Sequence, residues 1–243
     1  MNLSEIIKST SPKFSDIIPS TNKKIWFRPF LVKEEKMLLI AQELGSEQEI
    51  LKCISEVIQS CFENIGDVSK IPLFDLEYLF IKLRCKSVQE LASPILICPV
   101  TNEEVTLKIN LEEIEVIKDP KHSKTLKITD NLIIGMKYPS LSLFLNSNIE
   151  SMELSDFYDL AVNCVEYVET RDEKILADSV SKEEIKDFID NMTKQQFDMI
   201  INFFSTMPRI EKTVKYITSD KETRSITLRG IKDFFGLASV TQT

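Results

Sequence analysis

Residues able to carry proton-transfer or covalent chemistry are few and scattered in this chain. Histidine, with a pKa near neutrality, is the usual base for acyl and proton transfer. There is one, His122, within the polar stretch Lys118–Lys124, which reads as a solvated loop. A zinc site built on Cys and His needs four ligands, or three and a water. Cys98-Pro99-Val100-Thr101 has one thiol where such a turn needs two, and the later loop Thr218–Glu222 has neither Cys nor His. Glycines stand only at 45, 66, 135, 230 and 236. Without a Gly-x-Gly or Gly-Lys-Ser cradle, no phosphate loop is expected. Neighbouring carboxylates such as Asp75 and Glu77, or Glu183 and Glu184, have the form of an acid–base pair. With 38 acids in the chain such pairs are inevitable, and helix N-termini favour acids electrostatically. The residues therefore predict a protein that is not an enzyme, with no cofactor, no bound metal and no small-molecule substrate.

The remaining chemistry is that of contact. Arginine and aromatic side chains dominate the energetics of protein–protein interfaces. Arg84 ends an otherwise apolar helix beside Cys85-Lys86-Ser87, placed either to pair with a carboxylate or the helix carbonyls, or simply to meet solvent. Trp26, Phe203, Phe234 and Phe235 fall near element ends. With Arg84 they are the candidate interaction residues, although most of the 14 Phe must be core.

The elements that would position these residues are legible from periodicity. Lys24–Phe30 reads as a short strand, with Pro29 placing it at an edge or an end. A first helix, about Lys33–Leu44, sets Met37, Leu38, Ala41 and Leu44 on one side and stops at Gly45. Ser46 and Glu49 form a capping box for a second, whose Ile50, Leu51, Ile54, Val57, Ile58, Cys61 and Phe62 repeat at three and four. Leu73–Arg84, after Pro72, makes a third. Ile95–Cys98 and Glu104–Asn110 then alternate as a β-hairpin, and Thr125–Ile128 with Leu132–Met136 form another. Ser155 caps a helix with Phe157, Leu160, Ala161, Cys164, Val165 and Val168 on its buried face. Ser181 with Glu184 caps the next. Gln196–Thr206 follows a Thr193-x-x-Gln196 box and stops at Met207-Pro208. Its stripe is Phe197, Ile200, Ile201 and Phe204, with Phe203 off it. Thr213–Ile217 and Ser225–Arg229 close the chain as a last hairpin running into Gly230–Gly236.

The predicted fold class is α+β and helix-rich. A flexible N-terminal arm, residues 1–20, precedes a region of strand, helices and hairpins, 21–146, and a second helical unit ending in a hairpin, 147–243. Both halves read as helices followed by a hairpin, which makes an ancient duplication one reading and the commonness of such units another. Of the 243 residues, 28% are charged and 43% hydrophobic, as in soluble globular domains. The net charge of −8, spread along the chain, argues against non-specific binding to nucleic acid. Five cysteines without a Cys-x-x-Cys pair suit a reducing compartment. No signal peptide and no membrane span is expected, since residues 1–20 lack an apolar core and the apolar runs are short.

Five ordered segments resemble a known family. They are Arg28-Pro29-Phe30-Leu31-Val32-Lys33-Glu34-Glu35-Lys36; Pro72–Phe80 through Leu83-Arg84 and Lys86-Ser87-Val88; Met136-Lys137-Tyr138-Pro139-Ser140-Leu141; Phe203-Phe204-Ser205-Thr206-Met207-Pro208; and Gly230-Ile231-Lys232-Asp233-Phe234-Phe235. Together they resemble the baseplate hub subunit and hub assembly proteins of T-even-type contractile-tailed bacteriophages. The resemblance implies a structural or assembly role at the centre of the baseplate, with other hub and tail proteins as partners. It also implies synthesis in the host cytoplasm. Relatives carry Cys-Pro-x-Cys at the first hairpin and a Cys-x-x-Cys-like loop at the last. This chain departs from both, with Thr101 in the second position and Thr218-Ser219-Asp220-Lys221 in the later loop, so no metal is carried over. An acidic cytosolic adaptor or chaperone-like module, absent from the finished particle, is the alternative reading.

Overall fold

The aromatic run near Trp26 does become a strand, but one at the middle of its sheet. The computed structural model describes residues 10–44, 46–145 and 154–235. In it β1 (Phe14–Ile18) and β2 (Lys23–Phe27) pair antiparallel, with Phe14 opposite Phe27, and β3 (Phe62–Glu63) takes the other side of β2. Pro29 lies beyond the strand, where it costs no ladder hydrogen bond. Phe27 stacks on Phe62 at 4.8 Å and meets Phe14 at 5.9 Å. β1 lies in the segment expected to be an arm, of which only Thr10 onward is described.

Between β2 and β3 run α1 (Val32–Leu44) and α2 (Glu47–Cys61). Ser46 Oγ accepts the Glu49 amide at 3.2 Å, as its capping position requires. α2 buries Ile54, Val57, Ile58 and Cys61, which is the stripe expected from its spacing. α1 differs. Of the residues expected on its inner side only Ala41 is buried; Leu38 is half-buried, Met37 is exposed, and the Leu44 side chain and Gly45 lie outside the described residues. α3 (Leu73–Ser87) runs three residues past its expected end and buries Phe74, Leu76, Leu79, Phe80, Ile81, Leu83 and Cys85. Those positions surround the helix, so α3 is an interior helix.

The expected first hairpin is divided between two small sheets. β4 (Leu91–Ala92) pairs with β7 (Ile109–Asn110), and β5 (Ile95–Ile97) with β6 (Glu104–Thr106). β8 (Val116–Ile117) follows. β9 (Thr125–Thr129) and β10 (Leu132–Met136) form the second hairpin, and α4 (Leu141–Leu145) comes next. α5 (Leu154–Cys164) is shorter than expected, because Val165 and Val168 belong to β11 (Val165–Glu169). The cause is tertiary: β11 pairs with β10, Val168 opposite Ile134, and its β-branched and aromatic residues suit a pleated surface. With β12 (Lys174–Leu176) the sheet order is β12-β11-β10-β9, antiparallel throughout.

α6 (Lys182–Asp190) is capped by Ser181, which accepts the Glu184 amide at 3.1 Å. α7 (Lys194–Thr206) carries both bonds of its capping box: Thr193 N–H to Gln196 Oε1 at 2.8 Å, and Gln196 N–H to Thr193 Oγ1 at 3.3 Å. β13 (Arg209–Ile217) and β14 (Thr223–Arg229) make the last hairpin, which leads into α8 (Gly230–Phe235). Gly230 has φ +64°, and a Cβ there would stand 2.6 Å from Glu77 Oε1, the atom that accepts the Ile231 amide. The start of β13 pairs with β8, Ile210 opposite Val116. That pairing returns the last hairpin to the first part of the chain.

The molecule accordingly divides into Met1–Ile117 with Arg209–Thr243, and Lys118–Pro208. This differs from the division expected at 146/147, and the polar segment 146–150 lies outside the described residues. In the first unit Ile81 and Cys85 of α3 pack with Leu96, Leu107, Leu111, Ile210, Leu228 and Phe234. In the second, Ile134 and Met136 of β10 pack with Ala161, Val165, Ile189, Ile200 and Phe203. At roughly 1.5–3 kcal/mol for each large side chain removed from water, these two clusters are substantial sources of stability. The architecture is mixed α+β, with N-terminal strands, then helices, and a β-hairpin near the end.

Candidate interaction surface

The five candidate contact residues have different fates. Strand alternation turns Ile25 and Phe27 inward and leaves Trp26 45% exposed, with the Lys24 ammonium 4.7 Å from its ring centroid. Arg84 is half-buried on α3, and burial pulls its guanidinium below the ordinary value. Phe203 and Phe234 are core residues, 1% and 0% exposed, so their rings are spent inside the chain. The Phe235 side chain lies outside the described residues. The error over Phe203 has a plain cause. Its helix buries Ile200 and Phe203 and leaves Phe197, Ile201 and Phe204 half-buried, a face rotated from the stripe that spacing selected.

Phe203 packs in the core of its unit, and the His122 and Tyr138 rings lie against it at separations of 5.1 and 5.8 Å. His122 was expected in a solvated loop; it is half-buried, stacked 5.6 Å from Tyr138. Its Nδ1 lies 3.0 Å from Thr206 Oγ1 and its Nε2 lies 3.1 Å from the Tyr138 hydroxyl. Thr206 donates its own proton to the Asn202 carbonyl at 2.7 Å. Nδ1–H therefore donates to Thr206, and Nε2 accepts from Tyr138. Burial lowers the imidazole pKa, Asp119 opposes that shift, and Lys124 adds to it. A neutral histidine with both nitrogens engaged is a structural clasp.

Glu34 is the polar residue that sequence reading missed. It is 2% exposed, and its Oε1 accepts from Arg28 Nη2 at 3.0 Å and from Ser60 Oγ at 3.0 Å. Its Oε2 accepts the Leu31 amide at 2.7 Å, which is the return half of a capping box for α1. Arg28 also donates to the Pro29 and Ser60 carbonyls. Burial alone would raise the carboxyl, but the bonds from Arg28, Leu31 and Ser60 outweigh it and hold the pKa at about 2. The cluster joins the end of β2, the start of α1 and the end of α2. The signal for it was Glu34 itself, three residues after the helix N-cap.

Asp75 and Glu77, the carboxylates that resembled an acid–base pair, have separate structural partners. Asp75 is fully buried and accepts from the amide and hydroxyl of Ser20, whereas Glu77 accepts the Ile231 amide at 3.4 Å. The turn after Cys98 and the loop Thr218–Glu222 do meet. Glu103 accepts the Ser219 amide at 2.8 Å, and the Tyr216 hydroxyl lies 3.6 Å from Cys98 Sγ. Each turn has a residue with left-handed backbone, Asn102 at φ 57° and Lys221 at φ 64°. Arg224 grips Asp220 through two bonds and also reaches the Thr218 hydroxyl, which puts a fixed guanidinium in this loop. Among the described residues no group of three or more His, Cys, Asp or Glu side chains could hold a metal. No helix among them is long and apolar enough to cross a membrane. All five cysteines are free thiols.

These clusters each join elements of the chain to one another, and the side chains left facing outward include large apolar ones, Val32, Leu39, Val100 and Ile217 among them. The class this describes is a mixed α+β protein whose polar clusters tie its own elements together. A family model described as T4 bacteriophage base plate protein matches residues 11–236. The chain belongs to that family and is a structural component of the phage tail baseplate. No curated protein and no solved structure matches it.

Proposed function

We propose that this protein serves the central hub of the baseplate, as a hub subunit or hub assembly protein, through contacts with other hub and tail proteins and without turning over a substrate. The observation that carries the reading is the extent of the family match, residues 11–236. The five ordered segments that resemble hub proteins support the finer placement. Trp26, exposed on the β1-β2-β3 sheet, has the chemistry of an interface anchor. The net charge of −8 favours partners whose surfaces are complementary in charge. Synthesis in the host cytoplasm, followed by incorporation into the tail, fits free thiols.

The test is infection with phage lacking this protein. The expected outcome is tails that stop before a hub-containing baseplate forms, with the protein sedimenting alongside baseplate intermediates in complemented lysates. Intact, infectious tails made without it would refute the role. A requirement for assembly combined with absence from purified virions would select the assembly-factor form.

A further inference from the structure

α1 is built inside out. The side it turns inward offers Ala41 and the carboxylate of Glu34, while Val32 is 80%, Leu39 56% and Ile40 45% exposed. On a helical projection Val32, Lys36, Leu39 and Glu43 form one outward strip, at spacings of four, three and four, with Ile40 beside it. A surface helix ordinarily turns its large aliphatics to the core. Here they face water, because the Glu34 cluster holds the opposite face of the helix against β2 and α2.

The charges on this strip indicate what covers it. Lys36 stands about one turn before the Leu39-Ile40 pair and Glu43 about one turn after it, and both are exposed. Neither makes a salt bridge among the described residues. The pattern is self-complementary only for an antiparallel partner of the same sequence. A two-fold axis near Leu39-Ile40 sets Leu39 of each copy against Ile40 of the other, with Lys36 of each facing Glu43 of the other. A parallel pairing would set lysine on lysine and glutamate on glutamate. We propose that the outward face of α1 is a homotypic contact, occupied by α1 of a second copy of this chain about a two-fold axis. Such an isologous contact repeats every interaction twice. A single helix pair buries less than the roughly 1,200–2,000 Å² of a standard stable interface, so the dimer of the isolated protein is weak and concentration-dependent.

Purified full-length protein suffices to test this, because no other tail component is needed. Sedimentation velocity from micromolar to several hundred micromolar should show reversible monomer–dimer exchange. Leu39→Lys, at an exposed position, should leave the melting temperature unchanged and abolish the dimer. Lys36→Glu alone and Glu43→Lys alone should each weaken dimerisation at least roughly tenfold, since each replaces two attractions with two repulsions. A mixture of those two variants should form a heterodimer. At one end the introduced glutamate of the first variant meets the introduced lysine of the second, and the other end keeps Lys36 against Glu43. The double swap in one chain should likewise restore self-association. Monomer at every concentration would overturn the proposal, as would a dimer indifferent to all three substitutions or a mixture that fails to associate. A monomer that loses baseplate incorporation on Leu39→Lys would assign the strip to a different protein and equally overturn it, while leaving the hub role standing.

Discussion

Glu34 shows how much one side chain can hold. Its carboxylate is out of water, and it ties the Leu31 amide, Ser60 and Arg28 into one cluster. Removing one partner of a buried ion pair leaves an uncompensated charge, so Arg28→Ala should destabilise the first unit by roughly 3–5 kcal/mol in denaturant unfolding. Lys33, 3.3 Å from the same oxygen but largely exposed, is a poor substitute. The carboxyl has an ordinary pKa of 4.5 and a folded value of about 2. Its contribution is thus complete above pH 4.5 and lost as pH falls from there toward 2. In Glu34→Gln the stability difference from the parent protein should accordingly shrink across that window. A difference that stayed constant from pH 6 to pH 3 would show that ionisation of Glu34 does not stabilise the fold.

β10 and β11 depend on a glycine for a reason of space. A Cβ on Gly135 would stand 2.1 Å from Cε1 of Tyr167, its cross-strand partner. The ring would have to swing out, away from the Lys174 ammonium now 3.4 Å from its centroid. Gly135→Ala should therefore cost about 1–3 kcal/mol by thermal or chemical melting. Most of that penalty should vanish in a Tyr167→Ala background; if it persists there, the strain is not with the ring. α7 offers a milder case. Thr193→Ala removes the acceptor of the Gln196 amide and should cost about 1 kcal/mol. Thr193→Ser, which keeps the hydroxyl, should recover most of it.

The two units carry different acid sensitivities. In Lys118–Pro208 the shifted group that bears on acid stability is His122, whose pKa lies below its ordinary 6.5 because burial disfavours the charged ring. The fold therefore prefers the neutral imidazole. Its contribution is complete above pH 6.5 and erodes as pH falls below that value, when the unfolded chain takes up the proton first. In the other unit the shifted carboxyls, Glu34, Glu112 and Glu211 among them, lie below their ordinary 4.5, and their loss begins only below that pH. Hydrogen exchange corrected for intrinsic pH dependence should show Ile200–Thr206 losing protection as pH falls below 6.5, while α3 remains protected until the carboxyls begin to titrate. His122→Asn should remove the pH dependence of that first loss. Simultaneous loss of protection in both units near pH 4 would count against the His122 clasp.

Local chemistry was legible wherever a signal is short-range. The capping residues Ser46, Ser181 and Thr193, the α2 stripe and the hairpins at Thr125–Met136 and Thr213–Arg229 all appear where spacing and turn residues placed them, because each depends on neighbours within a few positions. Contacts across many residues decided the rest. Pairing with β10 converted Val165 and Val168 from helix to strand. The partners of His122 and Glu34, up to 84 and 26 positions away, drew the first out of full solvation and buried the second. Phe203 and Phe234, singled out for their places near element ends, are buried by elements that sequence spacing does not bring into view. Composition and periodicity report which side of an element is apolar. Only the assembled chain determines which apolar side is covered, and on α1 it is the outward one that is left for something else to cover.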